Sequence, residues 1–171
     1  MNAKRKTLAG LGAAALAASI ALPVTSAFAG HENTVAKASL NGKNEVDDMS
    51  DRRIVGDRNG RGSAVVFGID GDANTLCYSL LVKKIGPATG AHIHEGAEGE
   101  NGPVVAFLAP PADGTAGDCL TEGEEGKFAT GEDGEPLTTV AEILANPEDY
   151  YVNVHNEAFP NGAIRGQLVK Q

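Results

Sequence analysis

Short runs of alternating apolar and polar residues, each closed by Gly, Asn, Asp or Pro, recur along this chain. Such a pattern admits few folds other than an antiparallel sheet. Ala36–Leu40 reads as a first strand, and a polar stretch with an Asn59-Gly60 turn follows. Gly62–Ile69 and Thr75–Val82 form a hairpin around the tight turn Asp70-Gly71-Asp72. Ala91–Glu95 and Pro103–Leu108 are two further strands, separated by a Gly- and Glu-rich loop at 96–102. Residues 114–134 are acidic and weakly patterned, so an irregular excursion with at most one short strand is expected there. Tyr150–Asn156 and Ala163–Val169 close the chain, with Phe159-Pro160-Asn161-Gly162 turning between them.

A single helix interrupts this series, near residues 138–145. Leu137, Val140, Ala141 and Leu144 follow the i, i+3, i+4, i+7 pattern. Thr139 and Glu142 have capping-box spacing, Thr138 competes as N-cap, and Asn146-Pro147 ends the element. The fold class is therefore mainly β: an antiparallel β-sandwich or flattened, Greek-key-like barrel with one short helix.

The N-terminus points to export. Lys4, Arg5 and Lys6 precede an uncharged apolar stretch from Leu8 to Leu22, and Ala27-Phe28-Ala29 is an A-x-A cleavage signature. The stretch is short and small-residue-rich for a membrane span. Residues 1–29 thus read as a signal peptide and 30–36 as a flexible N-terminus leading into one domain, so the product is expected outside the cytoplasm and not membrane-spanning. Without the leader, 11 basic residues face 23 acidic ones. This balance repels nucleic acid and anionic membranes. In an exported chain with two cysteines, Cys77 and Cys119, a disulfide is the default.

The chemistry concentrates in three histidines. Ala91 and Ile93 are the core-facing set of their strand, which leaves His92 and His94 together on the other face. Two positions along a strand span about 6.6 Å, close enough for both rings to converge on one ion. Val152 and Val154 are the apolar set of the next strand considered, so Asn153 and His155 share its polar face. In the last strand Arg165 and Gln167 alternate with Ile164 and Leu168. Should these strands be neighbours, His92, His94, Asn153, His155, Arg165 and Gln167 form one cluster. Three imidazoles suit Cu or Zn and leave a fourth position open. The competing reading is structural, with the rings bonded to backbone carbonyls or to Glu95 and simply holding the sheet. Asp70, Asp72 and Asn74 imitate the start of a calcium loop, but Thr75 and Leu81 stand where Gly and Glu are required. No phosphate-cradling glycine loop and no serine nucleophile elbow occurs.

Several blocks together resemble the CHRD (chordin-type) domain family, in the form of a bacterial secreted single-domain member. They are Thr75-Leu76-Cys77-Tyr78-Ser79-Leu80, Ala91-His92-Ile93-His94-Glu95-Gly96, and Gly102-Pro103-Val104-Val105. Tyr150-Tyr151-Val152-Asn153-Val154-His155-Asn156 and Pro160-Asn161-Gly162-Ala163-Ile164-Arg165-Gly166-Gln167-Leu168 complete the likeness over residues 37–169. Ala163 stands where the family often has an acidic residue. The resemblance implies an extracellular β-sandwich module that binds an unidentified protein or ligand, with no established enzymatic activity. A fainter likeness links Gly90-Ala91-His92-Ile93-His94-Glu95 to the copper-ligand strand of copper-zinc superoxide dismutases, which implies as an alternative a small copper- or zinc-dependent enzyme or metal carrier. The histidines for a fourth copper ligand and a zinc site are missing.

Overall fold

The computed structural model describes residues 34–46 and 54–171. The expected signal peptide, the Gly30 start and His31 lie outside the described residues. Nine strands make one antiparallel sheet: β1 (Val35–Asn41), β2 (Arg61–Ile69), β3 (Asp72–Lys83), β4 (Ala88–Glu95), β5 (Val104–Leu108), β6 (Thr115–Thr121), β7 (Tyr150–Asn156), β8 (Phe159–Gln167) and β9 (Val169–Lys170). Their spatial order is β5-β4-β7-β8-β1-β2-β3-β6, with β9 against β1. Of the segment expected to be a flexible N-terminus, Val35 and Ala36 lie in β1, and Ala36 is fully buried.

The sheet curls into a nearly closed barrel. The segment after β6 brings the two end strands together: Phe107 donates to the Lys127 carbonyl (2.9 Å), and Ala129 donates to that of Val105 (3.0 Å). Lys127 in turn pairs with Asp118 of β6 at 2.7 Å. The interior is filled by the alternate residues the patterning picks out, among them Leu40, Val66, Leu76, Ile93, Val152, Val154 and Ile164, all fully buried.

Three local expectations change. β6 is a full seven-residue strand inside the acidic segment, paired with β3 from Thr75↔Thr121 to Leu81↔Thr115. It is a polar edge strand with Leu120 as its fully buried residue, so it carries no alternating apolar signal. The β7–β8 turn is Glu157-Ala158 and not 159–162, because the Asn156 side chain accepts from the Phe159 amide (2.9 Å) and closes the hairpin earlier. Helix α1 spans Val140–Ala145, with Thr139 as N-cap and Glu142 completing the capping box. Leu137 precedes the cap and is exposed, so the buried residues of the helix are Val140 and Ile143. Thr138, the rival cap, bonds instead to the Tyr150 hydroxyl at 2.8 Å.

Cys77 and Cys119 face each other across β3 and β6 and are joined by a disulfide (S–S 1.97 Å). The Asp70–Asn74 segment is a hairpin turn, with Asp72 Oδ1 accepting from the Asn74 amide at 3.1 Å and Gly71 at φ 79°.

Candidate metal centre

Strand alternation works as the sequence requires. Ala91 and Ile93 of β4, Val152 and Val154 of β7 and Ile164 of β8 point into the core. Their neighbours share the other face, and the register aligns them. His92 lies opposite Asn153, and Asn153 opposite Arg165. In the next row His94 lies opposite Tyr151, and Tyr151 opposite Gln167, while His155 faces Gly90. The order β4-β7-β8 thus supplies the adjacency on which the cluster depends.

The three histidines converge. One ligand nitrogen from each of His92, His94 and His155 lies within 4.8 Å of the others. His92 Nδ1 is 3.1 Å from His155 Nε2. Nitrogens bound tetrahedrally at about 2.0–2.1 Å from one zinc ion stand roughly 3.3 Å apart. This pair is therefore already at ligand spacing, and a His94 ring nitrogen lies within 4.8 Å of both.

Backbone carbonyls fix two of the tautomers. His94 Nδ1 lies 3.0 Å from the Gly102 carbonyl, and His155 Nδ1 lies 3.0 Å from that of Pro160. A carbonyl only accepts, so each Nδ1 carries the hydrogen. In a neutral ring the lone pair is then on Nε2, and that of His94 has no hydrogen-bond partner. A ligating histidine whose other nitrogen is anchored in this way is the usual arrangement at metal sites. His92 Nδ1–H donates to His155 Nε2, and an ion entering the site would take that proton's place once His92 adopts its other tautomer. Burial favours the neutral rings. It pushes His92 down to about 4, with the neighbouring His155 and His94 adding to the effect. Burial likewise lowers His94 and His155, against the opposing effect of the carbonyl bond that each makes.

The donor set fits a borderline or soft cation. Among the described residues, three buried side-chain atoms have no hydrogen-bond partner: His94 Nε2, Asn153 Oδ1 and Gln167 Oε1. All three carry lone pairs and lie on this face. The amide orientations follow from their partners, since Asn153 Nδ2 donates to both Glu45 oxygens (3.1 and 2.9 Å). Gln167 Nε2 donates to the carbonyls of Gly96 (2.8 Å) and Glu148 (2.7 Å).

Arg165 is 2% exposed, and its guanidinium donates to the carbonyls of Ala97 (3.2 Å) and Glu100 (2.5 Å) and to Asn101 Oδ1 (3.3 Å). It also lies 3.3 Å over the Tyr151 ring. Glu95 is exposed at the end of β4, opposite Tyr150, and alternates away from the histidine face.

Two residues of the site escape a sequence reading. Tyr151 stacks on His94 (4.7 Å, 8° between planes). It sits in an apolar run, but its parity with Asn153 was a usable signal. Glu45 is buried beside Asn153, and desolvation pushes its carboxyl up to about 8 despite the opposing Arg165 charge and Asn153 bond. Gly162 permits this packing, since a β-carbon there would lie 2.4 Å from Glu45 Oε2.

The family model of the CHRD domain matches residues 36–168, which spans every strand that contributes to this face. The chain belongs to the CHRD domain family. No curated protein and no solved structure matches it. In this CHRD domain the A-H-I-H block supplies two rings of the cluster, the Y-V-N-V-H block supplies the third, and the I-R-G-Q block packs the loop beside them.

Proposed function

We propose that this CHRD domain is an exported, non-enzymatic binding module that holds one copper or zinc ion between His92, His94 and His155. The observation that carries this reading is the tautomer pattern. Two rings are anchored at Nδ1 by backbone carbonyls, and His94 Nε2 is buried with no partner. A purely structural histidine has no need of a buried, unpartnered lone pair, which carries a desolvation cost.

The ion would supply a Lewis-acidic centre with an open position for a small donor or a partner's side chain. Asn153 and Gln167 flank the ligands, and Arg165 packs the adjoining loop. Among the described residues this is the one trio of metal-ligating side chains brought together. Among the described residues no second such group stands for the zinc site that the dismutase alternative calls for. Export agrees with the signal-peptide pattern and with the Cys77–Cys119 bridge, since disulfides persist in oxidising compartments. Among the described residues no helix is long and apolar enough to cross a membrane.

The test is calorimetry on tag-free, metal-stripped protein lacking the leader. One equivalent of Cu(II) or Zn(II) should bind to the wild type, and affinity should fall at least tenfold in both His92→Ala and His94→Ala. Equal affinity in all three proteins would leave the cluster structural.

A further inference from the structure

The loop between β4 and β5 reads in sequence as a Gly- and Glu-rich connection, yet five of its residues, Gly96, Ala97, Glu100, Asn101 and Gly102, are hydrogen-bonded to residues outside it. Gly96 donates to the Asp149 carbonyl (2.7 Å) and accepts from Gln167. Ala97, Glu100 and Asn101 all accept from Arg165. Asn101 Nδ2 donates to the Val46 carbonyl (3.3 Å), and the Gly102 amide donates to the Tyr151 hydroxyl (3.3 Å). Three of these fastenings come from one buried guanidinium, which spends its planar fork of donors on the loop backbone and the Asn101 side chain.

The loop ends where the chemistry begins. Its last residue, Gly102, presents the carbonyl that holds His94 Nδ1. A β-carbon at this position would lie 1.6 Å from the Glu95 carbonyl oxygen. Only glycine lets the returning chain pass this close to the end of β4 and aim its carbonyl at the ring. Arg165 donates to the loop, and its guanidinium lies over Tyr151, the ring on which His94 stacks.

We propose that Arg165 is a positioning residue. Through the 96–102 loop it holds the Gly102 carbonyl against His94 and so fixes the tautomer that offers Nε2 to an ion. The role in metal binding rests on the three-histidine reading above; the hold on His94 does not. The bonds of Arg165 and Gly102 reach His94 through the 96–102 loop, whereas His155 is anchored separately by the Pro160 carbonyl, so their removal should disturb His94 and spare His155.

The experiment is long-range ¹⁵N–¹H NMR of the histidine rings in zinc-free protein, followed by zinc titration, for wild type, Arg165→Met and Gly102→Ala. In the wild type His94 should be the Nδ1–H tautomer. In both variants that single tautomer should be lost while His155 keeps Nδ1–H, and zinc affinity should fall by roughly 10–100-fold, the usual effect of losing an outer partner of a ligand. Should either variant fail to fold, Arg165→Lys decides, because it keeps the charge but loses the planar fork that reaches the loop acceptors. An Nε2–H tautomer at His94 in the wild type overturns the proposal, and so does an unchanged Nδ1–H signal in a folded variant. A wild type with the expected tautomer but no zinc binding would refute the metal reading and leave the loop's hold on His94 standing.

Discussion

Glu45→Gln should flatten the alkaline side of the stability profile. Burial moves the Glu45 carboxyl from its ordinary 4.5 to about 8 in the folded protein. Between those values the folded state keeps a proton that the unfolded chain has released. Stability from this group is therefore fully present below pH 4.5, declines as pH rises, and is gone above about 8. The whole span corresponds to about 5 kcal/mol at 1.36 kcal/mol per pH unit. The three histidines have lowered values, so their contribution has the opposite sign and is lost as pH falls below 6.5. The histidine contribution is common to the wild type and the Gln variant, so the difference between them isolates Glu45, and from pH 6.5 to 9 it should change by about 2 kcal/mol. Glutamine mimics the neutral acid and still accepts from Asn153, so the variant's lead over the wild type should already be present at pH 6.5 and should grow by about 2 kcal/mol more by pH 9. Urea denaturation of metal-free protein at a series of pH values measures this. Parallel profiles for the two proteins would refute the buried, protonated carboxyl.

The midpoint for loss of metal affinity should lie below pH 6.5, since burial lowers all three rings, and binding should be lost by the pH near 4 at which His92 protonates; titrations at stepped pH check this. A midpoint at 6.5 would show rings in a water-like setting. Replacing Cys77 and Cys119 by Ser should cost on the order of 4 kcal/mol, the loop-closure term for a cross-link 42 residues apart, read by denaturant midpoint. Thiol labelling of the unfolded, non-reduced wild type should find no free thiol. Thr139→Ala should cost about 1 kcal/mol through the lost cap on α1, and Thr138→Ala should act differently, through Tyr150. Thermal melts of the two variants compare them.

The parts of the fold legible in sequence are those with a buried face. β7 is bounded at Tyr150 and Asn156 as its alternation indicates, and the His92–His94 pair lies on the face opposite Ala91 and Ile93 as the two-residue period demands. β6 was faint because a polar edge strand alternates nothing, and it is set by pairing to β3. That β4 lies beside β7 is a long-range fact with no local signature, yet the whole cluster depends on it. Arg165 shows a different limit. Two of its partners are backbone carbonyls, which look alike in every sequence, so its hold on the 96–102 loop has no signature in the residues. Glu45 is one acid among 23 Asp and Glu, and burial alone sets it apart.

The central claim is that three imidazoles share one ion. X-ray absorption at the metal edge of protein loaded with one equivalent of copper or zinc tests it most directly. The account predicts three imidazole nitrogens at about 2.0–2.1 Å, with one nitrogen lost from the shell in His155→Ala. A shell dominated by oxygen, or an unchanged shell in that variant, would contradict it.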